Sequence, residues 1–216
     1  AVIDPVKVII DNYPENDVEY VDAVNNPEDE STGKRKMPFC RELYIERTDF
    51  MEVPSKGYFR LAPGAEVRFK HAYYIKCQSC VKDDEGNVTE IHCTFDPSTQ
   101  GGWSQDGRKV KGTIHWVSAR HAVACEARLY EHLFTKENPD DLAEGEDYKA
   151  NLNPDSLKVA SVFVEPFIKD AVPGDRFQFD RTGYFCMDPD STTGKPVFNR
   201  TVPLKDSWVR AAAKKG

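Results

Sequence analysis

Two groups of side chains in this sequence could do chemistry. The first is Cys77-Gln78-Ser79-Cys80 together with His92-Cys93, where two thiolates and a third sulfur brought across a hairpin could approach the tetrahedral shell of a zinc ion. The set is incomplete: structural zinc sites usually combine two such pairs, and a regular strand sends Cys77 and Cys80 to opposite faces. Reduced cysteines that fill the core are therefore the favoured reading, and no metal site is assigned. The second group is basic and aromatic, with Lys56, Tyr58, Phe59, Arg60, Arg68, Lys70, Tyr73, Tyr74 and Lys76 interleaved over 21 positions. Single-stranded RNA requires this mixture: cations for phosphates, guanidinium forks for base edges, rings for stacking. An ordinary solvated strand face would carry the same residues, so residue type alone leaves both readings open.

Signatures of catalysis are missing. The sequence has no GxxxxGK[ST] phosphate cradle, no GxGxxG after a strand, no GxSxG elbow and no HExxH pair, and no catalytic residue is assigned. The five histidines, His71, His92, His115, His121 and His132, form no i, i+4 pair and read as buried or half-buried structural imidazoles. Clustered carboxylates fall in turn-rich stretches, where solvation explains them.

The elements that must position these groups are strands. In EVRFKHAYYIK the alternation puts Val67, Phe69, His71, Tyr73 and Ile75 on one face and Arg68, Lys70, Ala72, Tyr74 and Lys76 on the other, which predicts one half-buried strand. Asp84, Glu85, Gly86 and Asn87 then separate two β-rich arms and predict a hairpin. KGTIHWVS and DRFQFDRTGYFCM have the same character. Only Glu165 to Ala171 and the Ala-rich tail after Trp208 read as helix. Asn25 to Lys36 reads as a loop, and residues 137–147, with six acids and no base, as a solvated loop and candidate linker. Many short strands spaced by turns predict an all-β chain of one or two closed barrels.

Composition bounds the rest. With 216 residues, 39% hydrophobic and 30% charged, the chain can bury a core without staples and has no apolar run near the roughly 20 residues of a membrane helix. Six cysteines are too few for a disulfide scaffold, and AVIDPVKVII does not read as a secretion signal, so reduced thiols in a cytoplasmic setting are expected. The net charge of -7 hides an asymmetry. Residues 1–31 carry nine acids and one base, whereas residues 32–80 carry ten bases and five acids. The basic segment thus keeps its local attraction for an anion.

Read in order, AVIDPVKVII, MPFCRELYIERTDF, YFRLAPGAEVRFKHAYYIKC, DGRKVKGTIHWVS, ARLYEHLF, NPDSL, RFQFDRTGYFCMD and KPVFNRTVPLKDSW resemble the C-terminal anticodon-binding region of the glutaminyl-tRNA synthetase family, almost end to end. The resemblance implies two β-barrels, expected over 1–110 and 111–208 with a tail at 209–216 and strands free to cross between barrels. It also implies a monomeric part of a class I ligase that joins glutamine to its tRNA. The expected partner is tRNA of the glutamine isoacceptors, with neither DNA nor a membrane. ATP and Mg would belong to a covalently linked N-terminal catalytic domain, with no cofactor in this region, which alone should bind and not catalyse.

The resemblance assigns roles residue by residue. Arg60 matches an arginine that reads the third anticodon base, where a fork can donate twice to a guanine edge. Gln178 matches a glutamine at the middle base and, alternating with Phe177 and Phe179, should point away from their face. Arg68 matches an arginine of the first anticodon position. Lys70 stands where a second arginine is typical, a point charge in place of a fork. Gly57 and Phe59 stand where glutamine and lysine are common, so a polar contact is lost or replaced by stacking, and Lys56 completes the expected RNA-binding set. The alternatives are the corresponding region of a eukaryotic or archaeal-type glutamyl-tRNA synthetase and a free-standing ribosomal-protein-like barrel that binds structured RNA.

Overall fold

A computed structural model of the chain describes residues 1–204; the tail at 209–216, with its expected helix, lies outside the described residues. The strands are β1 (Pro5–Ile10), β2 (Glu19–Val24), β3 (Lys34–Phe39), β4 (Glu42–Glu46), β5 (Glu66–Phe69), β6 (Tyr74–Lys82), β7 (Val88–Asp96), β8 (Thr113–Ile114), β9 (Val117–Ser118), β10 (Val123–Tyr130), β11 (Leu157–Val164), β12 (Arg176–Phe179), β13 (Gly183–Met187) and β14 (Val197–Pro203). Among the described residues helix is confined to short 3-10 turns, including Pro166–Asp170 in the stretch expected to be helical. The all-β, two-barrel expectation is met. The described residues divide into two compact units, one of Ala1–Ala124 with Val162–Asp170, the other of Cys125–Ser161 with residues 171–204.

In the first unit, seven strands run in the order β8-β5-β6-β7-β1-β4-β9. The two outermost strands, β8 and β9, are joined only by His115 and Trp116. Three Cα steps span at most about 11 Å, whereas the edges of a flat seven-stranded sheet lie roughly 29 Å apart. The sheet must therefore curl. Its interior is built around Phe39, whose ring meets those of Tyr13, Tyr73 and Trp116 at 5.2–5.3 Å. The segment after Val162 returns to this unit through a Tyr44–Phe163 ring stack at 4.7 Å and a two-pronged Arg35–Glu165 ion pair at 2.5 and 2.9 Å.

Three local readings are corrected in this unit. EVRFKHAYYIK is a hairpin, β5–turn–β6, in which the Phe69 amide donates to the Tyr73 carbonyl and the Ala72 amide to the Phe69 carbonyl. His71 makes the turn at φ +67, a conformation that period-two patterning does not announce in a non-glycine residue. The loop expected at Asn25 to Lys36 ends sooner, because Lys34 already opens β3, which pairs with β2. A bulge between Cys77 and Ser79 shifts the register of β6, so Cys77 stands opposite Cys93 and Cys80 opposite Ile91. Both cysteines consequently project from the same side of the strand as the buried Ile91 and Cys93, not from opposite faces. The predicted hairpin turn between β6 and β7 forms, with the Asp83 carboxylate accepting from the Glu85 and Asn87 amides.

The second unit is a five-stranded sheet ordered β11-β10-β14-β13-β12. Its core stacks Phe179 on Phe185 at 4.1 Å, with Phe198 edge-on to Phe179 at 5.4 Å. The acidic stretch 137–147 lies within this unit and is not a linker between the two. The buried Asn151 amide pins it by donating to the carbonyls of Pro139 at 2.8 Å and Asp141 at 3.2 Å. His132 is exposed, unlike the other four histidines.

Candidate nucleic-acid interface

The backbone of the first unit draws the basic and aromatic residues together. Lys56 and Gly57 occupy the centre of a tight turn closed by the Tyr58 amide on the Ser55 carbonyl at 3.0 Å. Gly57 has φ +88, the value a type II turn demands at its third position. A side chain at this position would strain the backbone, so Gly57 serves the turn. From this turn the chain passes through Phe59, which is 54% exposed and carries the Lys111 ammonium 4.6 Å from its ring centre. Gly112 backs directly onto the Phe59 carbonyl, where any Cβ would collide, and its own carbonyl accepts from the Arg68 amide at 2.8 Å.

Arg60 is held from below. Its Nη1 lies 3.3 Å from a carboxylate oxygen of Asp49 and 3.2 Å from the Thr48 carbonyl. Asp49, in the 3-10 turn Arg47–Asp49, is a buried charge, and nothing in the sequence pattern points to it as the partner of Arg60.

Arg68 is held differently. Its guanidinium carbon lies 4.9 Å from the centre of the Trp103 ring and 5.7 Å from that of Tyr74. Its Nε is buried and has no hydrogen-bond partner among the described residues. Tyr74, expected on the solvent face, is buried under Arg68 and Arg108, the latter 5.3 Å from its ring centre. Arg108 is fully engaged, with Glu66 at 3.0 Å, Asp106 at 2.5 Å and Asp96. Lys70 follows β5 in the turn; its amide donates to the Ile114 carbonyl, and its carbonyl accepts from the Trp116 indole at 3.0 Å.

Gln178 belongs to the second unit. It pairs with Tyr184 across β12–β13 and is exposed with it, while Phe179 is buried and Phe177 packs edge-on to Phe198 at 5.9 Å. Alternation thus places Gln178 on the solvent side of its sheet.

The cysteines do not gather a metal shell. Among the described residues no three His, Cys, Asp or Glu side chains come together as metal ligands. Cys77 and Cys93 stand opposite each other in the buried core; their interaction lowers the Cys77 thiol and, together with burial, raises that of Cys93. Burial raises Cys80.

An all-β unit that displays arginines, lysines and rings along one strand and its flanking loops has the form of a module for holding a single strand of RNA. The chain belongs to the family described as tRNA synthetases class I (E and Q), anti-codon binding domain, whose models match residues 1–96 and 113–188. It is similar to the glutamine–tRNA ligase of Rhodopirellula baltica, 51% identical over 99% of this chain and 36% of that protein. The glutamine–tRNA ligase of Nitrosomonas europaea is 51% identical over 96% of this chain and 37% of its own length, and that of Clostridioides difficile 54% over 96% and 38%. The chain therefore spans little more than a third of the curated relatives it matches. Among the described residues no helix is long and apolar enough to cross a membrane.

Proposed function

We propose that this chain reads the anticodon of glutamine tRNA as the noncatalytic part of a cytoplasmic, monomeric glutamine–tRNA ligase. Joining glutamine to tRNA at the expense of ATP and Mg is the work of a covalently linked class I catalytic domain, and no step of that chemistry is assigned to residues of this chain. Here the side chains bind and discriminate. Arg60 presents its fork to the third anticodon base, Gln178 its amide to the middle base, and Arg68 its charge to the first position. Lys56, Phe59 and Lys70 add charge and stacking around them.

The observation that carries this reading is Arg68: a guanidinium held against the rings of Trp103 and Tyr74, with no ion pair to a carboxylate among the described residues. A cation held in place without a protein carboxylate is prepared for an anionic or base-edge partner. The relatives are glutamine–tRNA ligases, which favours glutamine over glutamate as the amino acid. The test is binding of the full-length protein to tRNA transcripts with altered anticodons over a range of salt. Affinity should fall linearly on a log–log salt plot despite the negative net charge, and should drop for single changes in the anticodon. A flat salt response, or indifference to the anticodon, would overturn the proposal.

A further inference from the structure

Trp103 lies in the stretch 97–112 that neither family model covers, and it is 72% exposed. One exposed ring needs no partner by itself; what singles Trp103 out is the guanidinium seated against it and the way its loop is tied down. The loop that carries it is fastened at several points. Gly101 and Gly102 turn the chain at φ +80 and +82, and Gly102 lies so close to the Arg68 stem that a Cβ would stand 2.9 Å from Cδ. Arg108 ties the same loop down through Glu66 on β5, Asp96 at the end of β7 and Asp106 within the loop itself. One side of the indole is taken by the Arg68 guanidinium at 4.9 Å.

We infer that Trp103 is a stacking platform for one unpaired nucleobase of the RNA, the base lying on the indole face opposite Arg68. The inference rests on the RNA-reading function proposed above. The pairing is chemically coherent: aromatic stacking accepts any base, while the neighbouring guanidinium supplies charge for the adjoining phosphate. Trp103 would thus contribute affinity and position, leaving base identity to Arg60 and Gln178.

The test compares the full-length protein with its Trp103→Ala and Trp103→Phe variants, measuring Kd for a glutamine tRNA transcript and for the same RNA made abasic at each anticodon-loop position in turn. Trp103→Ala should weaken binding to the intact RNA about tenfold, and Trp103→Phe should recover most of it. The loss should vanish for the RNA that is abasic at one particular position. An unchanged Kd for Trp103→Ala refutes the platform, and so does an equal loss on every abasic RNA, which would mean that the ring only steadies Arg68. The two levels separate cleanly: if wild-type binding depends on the anticodon while Trp103→Ala is neutral, the platform fails and the anticodon reading stands. If wild-type binding ignores the anticodon, the reading itself fails.

Discussion

Arg60 and Asp49 form an ion pair at 3.3 Å in which the Asp49 side chain is 1% exposed and the Arg60 side chain 15%. An arginine assigned to a base edge is therefore also the counter-ion of a buried charge. Arg60→Ala should lower the unfolding free energy by about 2 kcal/mol, because Asp49 loses a charged partner in a desolvated site. Arg60→Lys, which keeps a cation facing Asp49, should lower it less. Urea unfolding of the two variants checks this, and equal stability of wild type and Arg60→Ala would show that Asp49 does not depend on Arg60.

Gly57→Gln should not restore a missing contact. Open space surrounds the position, but its φ of +88 excludes an unstrained side chain, so the substitution should cost about 1 kcal/mol. The measurement is the denaturant midpoint; a variant as stable as wild type, with tighter RNA binding, would contradict the turn assignment.

Thiol alkylation should follow exposure. Cys80 and Cys186 are half-buried, and Cys40, Cys77, Cys93 and Cys125 buried, with burial pushing the Cys125 thiol up to about 12. Under native conditions Cys80 and Cys186 should react first and the other four only on unfolding. Mass mapping of early label on Cys77 or Cys93 would contradict the placement of that pair in the core.

The loop that carries Trp103 should be acid-sensitive. The Ser104 hydroxyl, then the Arg108 amide and guanidinium, hold the Asp106 carboxyl down at about 2, below the ordinary 3.8. Between those values the unfolded chain binds more protons than the folded one, so this contribution is complete above about pH 4 and lost as pH falls through about 2. A carboxyl NMR titration should place Asp106 near 2; a midpoint near 3.8 would show that the clamp with Arg108 does not persist in solution.

Much of this architecture is legible from residue pattern, and the failures have identifiable causes. Alternation finds β12 and β13 and the solvent side of Gln178, because a half-buried strand repeats every two residues. The same rule overruns the turn at Lys70–Tyr73, where His71 takes a left-handed conformation with no glycine to announce it. A bulge reverses the side on which Cys80 projects, and an inserted residue leaves no trace in composition. Asn151 converts an acidic stretch that reads as a linker into a pinned loop through side-chain bonds to distant carbonyls. Trp103 escaped notice for a simpler reason: a single ring among Gly, Ser and Asp reads as loop until Arg68 is found against it.

The central claim is that Arg60 reads one base. The direct measurement is kcat/KM for aminoacylation by the full-length protein and its Arg60→Ala variant over transcripts varied at one anticodon position at a time. Discrimination should fall by about 1–3 kcal/mol at the third position, the worth of a bidentate guanine contact, and stay intact at the other two. Equal losses against every transcript would contradict the account and leave Arg60 an electrostatic anchor.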